Sequence, residues 1–218
     1  MKSEVDLEKT LNDVREAYRL LFAYQNLVLD LMRYIGEHYG LKYTGGNAKF
    51  SNSSPRYGKG SLKSWSWDWL NMYFYQFTFE PSEQEIGKEI YFSILLQSDT
   101  GYFDSGDALK DNKLGQGRCD LGIFEPAKSS KTLLHFIVRK ANNSIGEFEG
   151  LRDRMALKPG ELGRWDDAEG KTISKAYILS SFVNEKKTLV QLQDFRNTCS
   201  ERGVELPSIA SANSDPDG

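Results

Sequence analysis

The sequence is short of the residues that most often carry chemistry or covalent staples. Its 218 residues hold only two cysteines, Cys119 and Cys199, far apart and outside any CxxC pair. That spacing excludes a disulfide framework and favours a reducing compartment. Histidine is equally scarce, with His38 and His135 alone. There is no GxSxG elbow, and neither cysteine has a base beside it in sequence, so nucleophilic catalysis has no motif to rest on. No stretch approaches the ~18 uninterrupted apolar residues of a membrane span. The N-terminus, MKSEVDLEKTLNDV, is charged where a secretion signal would be apolar. A net charge of −3 and a pI near 5.6 lack the overall basic excess of a wholesale nucleic-acid or membrane binder. No internal repeat is visible. Together these absences point to a cytoplasmic globular protein, in which the Asn52 and Asn142 sequons carry no meaning.

What is present suits a folded α+β chain. The apolar fraction of 39% and the 19 glycines lie within the globular range. The expected organisation is a single α+β domain over residues 1–206, followed by a disordered tail over residues 207–218. Leu7, Leu11, Val14, Tyr18, Leu21, Gln25, Val28, Met32, Ile35 and Tyr39 repeat at 4-3 spacing with one polar exception. This predicts a helix of about 35 residues, closed by Gly40. Up to Arg19 its remaining positions are largely charged, leaving one narrow apolar stripe suited to projection or self-association. From Leu20 to Leu31, LLFAYQNLVLDL is apolar nearly all round, which predicts burial on several sides.

The stretch from Trp65 to Phe79, WSWDWLNMYFYQFTF, alternates large aromatics with mixed residues. Such alternation predicts a strand, with Trp69 to Phe79 facing the core and a bend near Asn71. Trp65 and Trp67 could equally be left open for a ligand. Glu89 to Gln97 reads as its antiparallel partner. Leu41 to Phe50 opens as a strand. Arg118 to Phe124 and Thr132 to Lys140 read as a second strand pair, and Gly146 to Leu157 as a short helix. Lys158 to Lys171 reads as loop and Lys171 to Val183 as a strand. Thr188 with Gln191 opens a last helix that ends at Gly203. The expected architecture is a mostly antiparallel sheet packed by a long N-terminal helix and a C-terminal helix.

One local charge pattern stands out. Between Glu37 and Asp68 there is no acidic residue, while Lys42, Lys49, Arg56, Lys59 and Lys63 accumulate among glycines and aromatics. Cations supply charge, glycines let backbone amides approach, and aromatic faces stack on a base or sugar. The candidate ligand-binding residues are therefore Arg56, Tyr57, Lys59, Lys63, Trp65 and Trp67, for a phosphate or other anion. This is no Walker loop, because Ser53 stands where a glycine is required. The acidic loop at Asp99, Asp104, Asp107 and Asp111 lacks calcium-loop spacing and reads as solvated turns, so no metal or other cofactor is expected.

The order of elements resembles the core of restriction-endonuclease-like nucleases, as an architecture and not as a sequence match. The resemblance implies an acid such as Asp120 and a lysine such as Lys140, with an acidic residue two positions before the lysine to hold Mg²⁺. Val138 occupies that position, so the motif is broken where the metal would bind. The expected function is a non-enzymatic interaction or regulatory protein binding a protein or anionic partner, with possible homo-oligomerisation through the N-terminal helix. The rival expectation is a nucleic-acid or nucleotide-binding protein, with a degenerate nuclease of that kind as one form of it.

Overall fold

The computed structural model describes residues 4–51, 66–81, 90–105, 121–141, 157–167 and 170–207. The expected helix over 146–157 and the tail from residue 208 lie outside these, apart from Leu157. The chain divides into two units, residues 1–35 and residues 36–218.

The first unit is nearly all of helix α1, Glu4–His38, which runs its full 35 residues as the 4-3 spacing requires. Its last turn passes into the second unit and stops at Gly40, whose φ of +63° only glycine adopts freely. The structure corrects one expectation here. Within LLFAYQNLVLDL only Val28 is fully buried, while Leu20 is 72% and Phe22 68% exposed. An apolar run signals burial only where something lies against each side of it, and in the single chain most sides of this segment meet solvent.

The second unit is built on a six-stranded sheet in the order β1-β2-β3-β4-β6-β5, with every neighbouring pair antiparallel. The strands are β1 (Leu41–Ala48), β2 (Phe74–Pro81), β3 (Ile90–Gln97), β4 (Leu133–Ala141), β5 (Leu162–Asp167) and β6 (Gly170–Ile178). A single turn, α2 (Gly101–Asp104), follows β3, and α3 (Glu185–Ser200) closes the chain. This is the α+β architecture expected, and β2 pairs with β3 in the predicted hairpin, Phe79 opposite Phe92.

Opposed residues of an antiparallel pair share a face, so the register sorts the sheet into two sides. One side carries Phe77, Phe79, Phe92, Ile94, Leu134, Phe136, Val138 and Tyr177, covered by Leu192, Phe195 and Cys199 of α3. Phe195 meets Phe136 at 5.3 Å and Phe92 at 6.0 Å between ring centroids. Tyr39 adds its ring beside Phe92 and donates its hydroxyl to the Leu192 carbonyl at 2.8 Å. The other side carries Phe74, Leu95 and Ile137 against Phe50 and Tyr102.

Four local expectations are corrected. Residues 66–73 are two 3-10 turns, Ser66–Trp69 and Asn71–Tyr73, instead of strand. Leu70 N–H donates to the Trp67 carbonyl, and Tyr73 N–H to that of Leu70. Trp69, expected in the core, is 61% exposed. Trp67 and Tyr73 still meet at 4.4 Å, because a separation of six suits a period of three as well as two. Leu121–Ile123 is a 3-10 turn, so β4 finds its partners in β3 and β6 instead. Residues 162–167, expected as loop, form the edge strand β5, which needs no apolar alternation because its backbone pairs with β6 alone. Finally α3 starts at Glu185, capped by Asn184 Oδ1 accepting from Lys187 N–H at 3.0 Å, ahead of the expected Thr188.

Candidate functional site

Of the six residues assigned to a ligand site, Arg56, Tyr57, Lys59, Lys63 and Trp65 lie outside the described residues. Trp67 is half-buried at the edge of the aromatic cluster. Its ring stacks on Phe124, 6° from parallel at 5.9 Å, and meets Phe50 edge-on at 5.1 Å. Its backbone carbonyl accepts from Ser51 Oγ at 3.1 Å. These contacts give it a packing role. Lys42 and Lys49, the flanking cations, sit on β1 and just beyond it, where Lys49 N–H donates to the Phe74 carbonyl.

The cluster side of the sheet also holds a buried polar row. Gln76, Ser93, Gln97, His135, Thr172 and Ser174 are all buried there. His135 Nε2 donates to Gln97 Oε1 at 3.0 Å, which leaves Nδ1 as an acceptor. Burial lowers the His135 pKa to about 4, so the ring is neutral near pH 7. Gln76 Nε2 donates to Ser93 Oγ at 3.1 Å. Among the described residues, His135 Nδ1, Gln97 Nε2 and Ser174 Oγ have no hydrogen-bond partner. The row can satisfy a polar group placed over it, and the register sets Ser93 and Ser174 diagonal to His135 on the same face. Among the described residues, no three His, Cys, Asp or Glu side chains gather as a metal site would need.

A shallow cavity of about 520 Å³ opens at the start of α3, lined by Ser181, Asn184, Lys186, Lys187, Val190 and Gln191. Asn184 is already committed there as the helix cap.

Among the described residues, many of the exposed large hydrophobic side chains lie on α1. Leu7, Leu11, Val14, Tyr18 and Leu21 form a continuous 4-3 seam, and each is exposed, Leu7 at 51% and Tyr18 at 69%. Further along the same seam, Val28, Met32 and Ile35 are buried. The seam is flanked by Glu8 and Arg15, 3.8 Å apart and both largely exposed. Off the seam the helix is stabilised locally: Asn12 Nδ2 donates to Glu16 Oε1, and Arg33 pairs with Asp30 at 2.7 Å. Charge beside a narrow apolar stripe is the pattern of a helix that packs on another helix. The 4-3 spacing was legible in sequence, and the structure adds where the seam stays open and where it is closed. Among the described residues, no helix is long and apolar enough to cross a membrane.

A family model matches the chain over residues 4–205, a range that spans α1, the six strands and α3. The chain belongs to the PM0109 family. The match takes in both the open seam of α1 and the whole sheet, so PM0109 membership covers the helix as well as the body. No curated protein and no solved structure matches the chain.

Proposed function

We propose that this PM0109 protein is a cytoplasmic, non-enzymatic interaction protein, whose binding element is the first half of α1. The observation that carries this reading is the exposed seam from Leu7 to Leu21 on a continuous 35-residue helix. Five apolar side chains in one line, left in water, cost free energy that a partner removes at roughly 25 cal/mol per Å² covered. A helix of this length, continuous with the folded body at its C-terminal end, presents the stripe at little ordering cost. The basic segment holding Arg56, Lys59 and Lys63 supports a second contact, with an anionic group on the partner; that part rests on sequence alone.

The test replaces Leu7, Leu11 and Val14 together by glutamine in the full chain. Glutamine keeps helix propensity while removing the apolar stripe. Circular dichroism should be unchanged, and association seen in sedimentation or in pull-downs from the native source should disappear. A folded triple variant that keeps every association of the parent chain would refute the reading.

A further inference from the structure

The open seam has a symmetry that points to its occupant. Because Val28, Met32 and Ile35 are already buried in the single chain, the part of the seam open to another helix is the stretch from Leu7 to Leu21. In heptad terms Leu7, Val14 and Leu21 are d positions, and Leu11 and Tyr18 are a positions. Antiparallel helices set each a residue opposite a d residue of the other. One register pairs four of the five open positions, Leu7 opposite Tyr18 and Leu11 opposite Val14, each twice, and sets Leu21 opposite Glu4. Glu8 and Arg15 occupy the e positions beside that seam. In this register e faces e, so Glu8 of each copy meets Arg15 of the other. Shifting the register by one heptad sets Arg15 against Arg15, and by two sets Glu8 against Leu29. A parallel pair brings Thr10, not Glu8, beside Arg15. The register shifted by one heptad pairs Leu11 with Leu21 and Val14 with Tyr18 equally well, so it is the charge complementarity of Glu8 and Arg15 that selects one arrangement.

We propose that the first half of α1 seats a second copy of this chain in antiparallel register, Leu7 opposite Tyr18 and Glu8 opposite Arg15. This rests on the reading of α1 as the binding element and names its partner. An overlap of about 18 residues is about 27 Å long at 1.5 Å per residue. That is at the small end of specific interfaces, so the dimer is concentration-dependent.

The decisive experiment is disulfide trapping in the full chain with Cys119→Ser. The Leu7→Cys and Tyr18→Cys variants are oxidised alone and as a mixture of differently tagged chains. Antiparallel pairing gives the mixed Leu7→Cys/Tyr18→Cys disulfide and little of either homodimer. Positions 7 and 18 are about 16 Å apart along a helix, so a parallel pair would give homodimers only. Sedimentation then checks the charges. Glu8→Arg or Arg15→Glu alone should weaken the dimer about tenfold, and the two together should restore it to within about twofold. Homodimer disulfides, a monomer at high concentration, or a double variant as weak as the singles would overturn the proposal. Loss of association by the glutamine triple variant alongside homodimer disulfides would sink the register while sparing α1 as the binding element.

Discussion

Tyr177 donates its hydroxyl to Asp194 Oδ2 at 2.6 Å, and the same oxygen takes Lys175 Nζ at 2.7 Å. Two residues of one strand therefore converge on one carboxylate of α3, from the side of the sheet that Phe195 covers. Lys175 also donates to Thr198 Oγ1 at 3.3 Å, one helical turn further on. Replacing Asp194 by alanine strands a mostly buried ammonium and a phenol together, and should cost about 1–3 kcal/mol in urea unfolding. Tyr177→Phe removes one hydrogen bond and leaves the ion pair, so about 1 kcal/mol is expected.

His135 gives the protein an acid limit. Its pKa is about 4 in the fold against 6.5 when solvated, so between those values the unfolded chain binds the extra proton. Stability from this residue is complete above pH 6.5 and falls as the pH drops towards 4. Below that it changes no further. The span of about 2.5 pKa units corresponds to roughly 3 kcal/mol. Urea midpoints measured from pH 7.5 to 4 should show this slope, and His135→Gln should flatten it in that window.

Gly46 and Gly160 should respond differently to alanine. A Cβ on Gly46 would sit 2.3 Å from the Gln76 carbonyl oxygen and 2.6 Å from the Tyr75 ring. The carbonyl belongs to the β1–β2 ladder and cannot move away, so Gly46→Ala should cost on the order of 3 kcal/mol. Gly160 has open space around it but a φ of +82°, so Gly160→Ala should cost only about 1–2 kcal/mol of backbone strain. Thermal melting of the two variants side by side gives the order.

Cys199 should be chemically silent. Burial pushes its thiol up to about 12, which leaves almost no thiolate at pH 8. A thiol reagent added to folded Cys119→Ser protein should label nothing over an hour, and label one site after denaturation. Rapid labelling of the native protein would mean that α3 opens readily from the sheet.

The parts legible in sequence were those where a single period ruled. The 4-3 repeat of α1 gave its length and its end at Gly40, and the alternation of Phe77, Phe79, Phe92 and Ile94 gave the β2–β3 hairpin. Residues 66–73 misled because Trp67 and Tyr73 satisfy two periods at once, and only the hydrogen bonds to the Trp67 and Leu70 carbonyls choose between them. Strand β5 was hidden because LGRWDD carries no alternating apolar face, and its pairing is a property of the backbone. Leu20 and Phe22 looked like core because composition cannot tell a buried face from one still waiting for cover. For the same reason the seam could be read from sequence, but its limits at Leu21 and Val28 needed the fold. The basic segment with Arg56 and Lys59 remains a proposal from charge pattern.

The covering of one sheet side by α3 sets an order of events during synthesis. Phe92, Phe136 and Tyr177 are laid down early, yet Phe195, which touches all three, is made well after the last strand. Before α3 docks, that apolar side of the sheet has no cover from it. A chain whose α3 has not docked exposes apolar surface of the kind that makes folding intermediates prone to aggregate.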